Sequence, residues 1–300
     1  MLYRYNMLIN KKNITIIIVC YKSDYIIERC LKSIDSNIEV IIVENSNNNQ
    51  FKEKIENKYK NVKCILSGKN IGMGAANNLA LKNIKNDFAL ILNPDVELTK
   101  NTLNKIIEAS NDIKNFGILA PILNKKEYPN FKLTKKNINE INIKKPFKVD
   151  SVDGFAMFLN LKRLKKIKNF YFFDENIFLY LENDDLCNRV NNSGEHIYVV
   201  PKSKIKHLGG KAVDPKYKNE IELSRNWHWM WSKFYYNKKH FGYFIALIKI
   251  LNNLISSKIK FIYYLIIFNS FKRQIYQMRL MGLYNSMLGN KSYYRPKIQD

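Results

Sequence analysis

Leu90-Ile91-Leu92-Asn93-Pro94-Asp95-Val96-Glu97 is the stretch that decides how this chain is read. An apolar run stops at a turn carrying a carboxylate, so a buried strand delivers an acid to its own carboxyl end. In open α/β sheets that edge is where ligands bind, and a lone carboxylate there suits a hard divalent cation shared with phosphates. Asn-Pro-Asp is equally an ordinary turn sequence. The neighbouring segments have to decide.

Upstream, residues 14–20 form a continuous β-branched run, the mark of a strand buried on both faces. The pattern then predicts a helix over 24–34, strands over 40–43 and 62–66, and a Lys-rich helix over 51–59 between them. A helix over 72–84 and a strand over 88–92 follow. Strands and helices alternating at these lengths predict an α/β fold, a parallel three-layer sheet flanked by helices. Past Asp95 the alternation decays: helix over 99–110, strand over 116–120, and then 124–148, with eight Lys against two Glu. That segment reads as a mobile basic excursion over the sheet edge. Regular structure resumes at 152–159, with a helix over 182–192 stopped by Gly194 and a strand over 197–200.

From Tyr217 the chain turns aromatic, basic and helical. Phe244, Leu247, Ile248, Leu251, Leu254, Ile255, Ile259 and Ile262 share one helix face, while Lys249, Asn253, Ser256 and Lys260 share the other. The longest apolar runs, 241–248 and 261–268, fall short of the about 20 residues that span a bilayer. Such a helix either packs on the sheet or lies on anionic lipid, helped by Lys238, Lys239, Lys258, Lys272 and Arg273.

Three hundred residues, 46% hydrophobic and 25% charged, exclude a disordered chain and allow one sizeable core plus an appended element. The net charge of +24 implies an anionic partner: nucleic acid, acidic lipid or phosphorylated small molecules. Abundant Lys, Asn and Ile also fit an AT-rich coding bias. Cys20, Cys30, Cys64 and Cys187 have no C-x-x-C spacing and read as reduced core residues. Met1 to Asn10 holds no signal-peptide apolar region, so a cytoplasmic protein is expected.

The turn after the first strand, Cys20-Tyr21-Lys22-Ser23-Asp24, carries no G-x-G-x-x-G. Gly72-Met73-Gly74-Ala75 opens a helix whose amides can face a phosphate or sugar, or whose glycines permit close packing. Glu182-Asn183-Asp184-Asp185 sets three acids at a helix start. They complement the helix dipole, and Asp185 can pair with Arg189. The aromatic stretch 172–180 before them supplies a dry wall that raises a carboxylate toward a useful base. His207, before Gly209-Gly210, is either structural or a metal ligand.

Taken in order, these pieces resemble the family 2 glycosyltransferases with a GT-A fold, and within them a rhamnosyltransferase-like branch. The likeness runs through Cys20-Tyr21-Lys22, Val43-Glu44-Asn45-Ser46, Asn70 to Asn78, Leu92 to Asp95, Asp153 to Met157, Phe173-Asp174-Glu175, Glu182 to Arg189 and Pro201 to His207. It implies a Rossmann-like, mostly parallel mixed sheet over 13–212, a nucleotide-sugar-binding catalytic domain, with 213–300 as a basic helical extension. It implies Asp95 and His207 as ligands of Mn²⁺ or Mg²⁺ against the donor diphosphate. The turn of Cys20 and Tyr21, Glu44 and the loop from Asn70 through Gly72 to Gly74 would line the nucleotide pocket, Asp153 and Gly154 would sit by the donor sugar and acceptor, and Asn77 and Asn93 would be further substrate-binding residues. A carboxylate near Glu182 to Asp185 would take the acceptor proton in a single inverting displacement.

Two departures qualify the likeness. The usual acid of the turn after the second strand is Glu44, one methylene longer than Asp. The usual Glu-Asp-x-Asp-Leu pattern appears as Glu182-Asn183-Asp184-Asp185-Leu186. Asn cannot act as a base, so that role falls to Glu182 or Asp185, or the chain has lost activity. The expected partners are a nucleotide-diphospho sugar, dTDP-rhamnose first, a lipid-linked cell-surface glycan as acceptor, and the anionic inner face of the cell membrane. The alternative is a noncatalytic protein of the same fold that binds anionic membrane or nucleotide sugar without turnover. Nucleic acid is disfavoured, since no RNA-binding module is present.

Overall fold

The structure, a computed structural model, describes residues 8–123, 129–133 and 144–298. Its centre is a sheet built from β1 (Ile14–Cys20), β2 (Glu39–Glu44), β3 (Val62–Leu66) and β4 (Phe88–Leu92), continued by β5 (Val96–Leu98), β6 (Phe116–Leu123), β10 (Ala156–Asn160) and β11 (His196–His207). Short strands β7 (Phe131–Lys132), β8 (Phe147–Lys148) and β9 (Ser151–Val152) lie between β6 and β10 in the chain. The spatial order is β3-β2-β1-β4-β10-β6-β11-β5, with β8 on β11 and a separate β7-β9 pair. β1 to β4 are parallel, as expected of continuous apolar runs covered on both faces. β10 runs antiparallel to both β4 and β6, which makes the sheet mixed rather than wholly parallel.

Helices α1 (Ile27–Lys32), α2 (Asn49–Lys58), α3 (Met73–Leu81), α4 (Thr102–Asp112), α5 (Leu161–Leu164) and α6 (Glu182–Asn192) flank the sheet. Two apolar clusters fill the faces: Ile16, Ile18, Val40 and Leu90 on one, Ile17, Ile41, Ile91 and Met157 on the other. Each such side chain contributes about 1.5–3 kcal/mol when removed from water. Cys20, Cys30, Cys64 and Cys187 are buried free thiols within this core.

Three differences from the sequence reading have physical causes. α1 begins at Ile27 rather than Asp24, because Ser23 turns the chain, its carbonyl accepting from Ile26 and Ile27 N–H. The excursion 124–148 is pinned where it is described: Asn130 is buried, donates to Pro121 O at 2.9 Å and accepts from Leu123 N at 2.9 Å. Residues 124–128 and 134–143 lie outside the described residues. The last strand does not stop at Val200 but runs to His207, shifting register between Val200 and Lys204. Pro201 is tolerated at that irregularity.

Three long helices follow: α7 (Lys218–Phe241), α8 (Tyr243–Ile266) and α9 (Ser270–Met287). No helix among the described residues is long and apolar enough to cross a membrane. α8 packs only a narrow part of its apolar surface, Ala246 and Ile250 with Leu247 and Leu254, against Met230 and Phe234 of α7 and Leu283 of α9, and leaves the rest outward. Ala246, Ile250 and Ser257 are its buried residues, Asn253 accepts from Lys233 of α7 at 2.7 Å, and Lys249 sits 3.6 Å over the Phe241 ring. Phe244 (80% exposed), Ile248 (74%), Ile259 (61%) and Ile266 (67%) face outward. Of the basic residues expected beside this stripe, Lys239 is withdrawn into ion pairs with Asp174 and Asp185, at 2.7 and 2.6 Å.

Candidate active site

The carboxyl ends of β1 and β4 open into a cleft of about 640 Å³, of a size that suits a small-molecule ligand. At one end, β4 stops and Asn93 N–H bonds to Phe155 O at 3.0 Å, which turns the chain so that Asp95 enters the cleft floor. β5 then pairs antiparallel with the end of β11, setting His207 opposite Val96. This register brings His207 Nε2 within 3.3 Å of Asp95 Oδ1. The His207 ring stacks on Phe155 at 4.2 Å, while Asp95 Oδ2 accepts from Lys211 N–H at 3.2 Å.

Asp95 is buried, and its Oδ1 has no hydrogen-bond partner among the described residues. A carboxylate oxygen left without a donor beside an imidazole nitrogen fits a divalent cation. No group of three or more potential ligands gathers among the described residues. Two protein ligands with substrate phosphates and water completing the shell is the ordinary arrangement for Mg²⁺.

At the opposite wall, Tyr180 and Leu181 take left-handed backbone with φ of 69° and 66°, a costly conformation for non-glycine residues. Ser232 of α7 donates to Leu179 O at 2.8 Å, and Trp229 packs edge-on against Tyr180. This bend opens α6 with Glu182 facing the cleft. Glu182 is buried with Oε2 unpartnered, and burial pushes its carboxyl up to about 7.

Asp185 is a different group. It is absent from the cleft lining, fully buried, and bonded to Arg189 Nε at 2.9 Å, His240 Nε2 at 2.8 Å and Lys239 Nζ at 2.6 Å. Burial would raise its pKa, but the bonds from His240 and Lys239 and the charge of Arg189 hold it at about 2. Asp185 thus lies off the cleft that Glu182 faces, with both of its oxygens engaged.

Asn183 lines the cleft with its amide donating to Val152 O at 2.8 Å, a carbonyl that an aspartate would repel. It packs against Gly154, where a Cβ would stand 3.3 Å from Asn183 Cβ. Asp184 is held by Lys132, at 2.7 and 2.8 Å, and by Ser151. Asp153 also lines the cleft, its pKa raised by burial, with Lys132 opposing.

Tyr21, Asn70, Gly72 and Asn93 line the cleft together with these residues. Gly72 has φ of 88°, and a Cβ there would meet Phe178 O at 2.5 Å, so no other residue fits. Cys20, Glu44, Gly74 and Asn77 are not on the lining. Glu44 folds onto its own turn, accepting from Ser46 N–H at 3.0 Å and Asn48 N–H at 2.6 Å. Its neighbour Asn45 takes the cleft position instead, bridging Asn70 at 3.1 Å and Ile71 N–H at 3.0 Å. Asn77 donates to Met73 O at 3.0 Å within α3, and Gly74 lets α3 approach Phe173.

The family model for glycosyl transferase family 2 matches residues 15–168. The chain belongs to glycosyltransferase family 2. Among curated relatives it is 25% identical to the low-salt glycan biosynthesis hexosyltransferase Agl10 of Haloferax volcanii, over 62% of this chain and 64% of that protein, so it spans less than two thirds of that relative's length. The fold is that of GT-A glycosyltransferases. The mannosyltransferase PcManGT from Pyrobaculum calidifontis, solved with GDP-Man and Mn²⁺, superposes with a TM-score of 0.56 at 12% identity, over 94% of this chain and 89% of that one. S. aureus TarS 1-349, solved with UDP, gives 0.51 at 15% identity, over 96% and 94%.

Sequence reasoning missed several residues of this family 2 cleft: Asn45, Lys132, Phe178, Tyr180, Arg225 and Trp229. Lys132 sat in a segment read as mobile. Arg225 and Trp229 lie beyond the residues matched by the family model, on α7.

Proposed function

We propose that this protein is an inverting, metal-assisted glycosyltransferase that moves a sugar from a nucleotide-diphospho donor to a hydroxyl of a glycan acceptor, with Glu182 as general base. The observation that carries this reading is the unpartnered, buried Glu182 carboxyl in a cleft that also holds Asp95 and His207. A pKa of about 7 lets it be deprotonated before reaction and still accept a proton during it. Asp95 and His207 would hold Mn²⁺ or Mg²⁺, which supplies positive charge beside the departing diphosphate. Glu182 takes the proton of the acceptor hydroxyl as its oxygen bonds to the anomeric carbon. The bond from that carbon to the diphosphate oxygen breaks with its electron pair, and the anomeric configuration inverts. Tyr21, Asn70 and Gly72 bound the nucleotide, and Asp153 and Gly154 bound the sugar.

The finer reading takes rhamnose as the first donor sugar, on the resemblance to the rhamnosyltransferase-like branch, and a lipid-linked cell-surface glycan as acceptor. Residues 13–212 would form the catalytic unit and 213–300 its helical extension, with α7 as the bridge through Ser232 and Trp229. The exposed stripe of α8, flanked by Lys258 and Lys272, supports a peripheral seat on the anionic inner face of the cell membrane, where such acceptors are reached.

The test is release of nucleoside diphosphate from a panel of nucleotide sugars with Mn²⁺, Mg²⁺ or EDTA, with and without membrane lipid extract. Metal-dependent release from one donor is expected and names the sugar. Binding without release from any donor would overturn the catalytic reading in favour of a binding protein.

A further inference from the structure

The cleft collects acids: Asp95, Asp153, Glu182 and Asp184 all line it. A diphosphate among them is repelled unless cations face it. Lys132 is already engaged by both Asp184 oxygens. Arg225 is situated differently. It lines the cleft, partly buried, and among the described residues has no carboxylate or hydrogen-bond partner. Its Nη1 lies 4.0 Å from the position of a Cβ on Gly210. The next residue, Lys211, donates its backbone N–H to Asp95, so the guanidinium stands close to the Asp95 turn.

A second guanidinium arrives from the segment after α9. Trp231 Nε1 donates to Asn290 O at 3.0 Å, which lays this segment back over α7. Buried His228 then pins it at two points, Ser292 Oγ on Nδ1 at 3.0 Å and Tyr294 O on Nε2 at 2.9 Å. A carbonyl only accepts, so Nε2 carries the proton and Nδ1 accepts from Ser292. Burial, with Arg295 nearby, presses His228 down to about 3, which keeps it neutral for that arrangement. Arg295 is thereby set 3.7 Å over the Phe178 ring, whose backbone carbonyl receives Met73 N–H at the Gly72 loop. Pro296 beside it lines the cleft. Arg295 Nη1 bonds to Ser292 O and Tyr294 O at 2.9 and 2.8 Å, and among the described residues it has no ion pair with a carboxylate; the side chain itself lies just off the cleft lining, behind Phe178 and beside Pro296.

The chain uses arginine sparingly, eight against 42 lysines. On the sheet side these arginines are matched to acids, Arg29 to Glu97, Arg163 to Glu195 and Arg189 to Asp185. An unmatched planar fork is the side chain suited to phosphate oxygens.

We propose that Arg225 and Arg295 form an anion subsite for the donor diphosphate, Arg225 approaching from the Asp95 turn and Arg295 from the Phe178 side. The proposal rests on the nucleotide-sugar reading and adds residues outside the family-matched span to it. The strap 290–298, held by Trp231 and His228, is then part of the donor site.

Calorimetric titration of the full chain with UDP, GDP and dTDP, each beside its nucleoside and each with Mn²⁺ or EDTA, tests this. Arg225→Gln and Arg295→Gln should each weaken the nucleoside diphosphate about tenfold or more while leaving nucleoside affinity within about twofold, since only charge-assisted bonds are lost. The corresponding Lys variants should recover part of the loss. Unchanged diphosphate affinity in folded Gln variants would overturn the subsite and leave the nucleotide-sugar reading standing. Equal losses of nucleoside and diphosphate would overturn it by making the arginines structural braces. A wild-type chain that binds none of the three would overturn both readings.

Discussion

Glu182 and Asp185 leave the first turn of the same helix into different surroundings: Glu182 faces the cleft with Oε2 unpartnered, and Asp185 is locked by Arg189, Lys239 and His240. Removing each should therefore do different things. Glu182→Gln is expected to lower kcat by about 10²–10⁴ with donor binding retained, as for loss of a general base. Asp185→Asn is expected to destabilise by about 3–5 kcal/mol, because it leaves buried cations uncompensated. Steady-state kinetics beside denaturant unfolding separates the two, and equal kinetic defects with unchanged stability would contradict the assignment.

The raised carboxyl of Glu182 also makes stability depend on pH. Between the ordinary 4.5 and the folded value of about 7, the unfolded chain has released this proton while the folded chain retains it. Stability from this group therefore falls as pH rises through that window, reaching a cost of roughly 3 kcal/mol above it. Glu182→Gln should equal the wild type in stability near pH 4 and exceed it at pH 8. Turnover of the wild type should rise over the same window as the base deprotonates. A Tm difference independent of pH would refute the buried-acid account.

The parallel part of the sheet was legible because burial on both faces forces unbroken β-branched runs, as at Ile16 to Val19 and Val40 to Val43. The end of β11 was not, since Pro201 interrupts the run and the inward positions that follow, Ser203 and Ile205, offer only one apolar residue between Lys202, Lys204 and Lys206. Yet that extension is what carries His207 to Asp95. Helical register put Glu182 and Asp185 on equal terms, because the groups that separate them, Lys239 and His240, come from α7. The apolar stripe of α8 was visible, but its outward orientation depends on contacts with α7 and α9 that periodicity does not encode.

The Asp95 and His207 pair predicts how the protein answers a metal. Asp95→Asn keeps the shape and the acceptor for Lys211 N–H but loses the charge. It should abolish the Mn²⁺-dependent part of nucleoside diphosphate release. It should also abolish any rise in Tm that Mn²⁺ produces with nucleoside diphosphate present. A variant that still responds fully to the metal by both measures would remove Asp95 from the cation site.

Exposed apolar side chains on α8 support no packing, so changing them tests membrane seating without touching the core. Phe244→Glu with Ile248→Glu should shift unfolding by less than about 0.5 kcal/mol per site and leave donor hydrolysis unchanged. Co-sedimentation with anionic vesicles should fall sharply. Vesicle binding equal to that of the wild type would detach this stripe from any lipid role.

α7 forms one wall of the cleft, and Gly282 of α9 controls how closely that helix is held. A Cβ at Gly282 would stand 2.1 Å from the backbone oxygen of Trp227, a contact that no rotamer can relieve. Gly282→Ala must push α9 off α7, at a cost of at least about 1–3 kcal/mol for overpacking against backbone. Since α7 supplies Ser232 to the Leu179 bend and Trp229 to Tyr180, the displacement should reach Glu182. The expected result is a lower Tm together with a fall in kcat larger than the fall in donor affinity. Intact kcat in the destabilised variant would show that α6 holds Glu182 in position without help from α7.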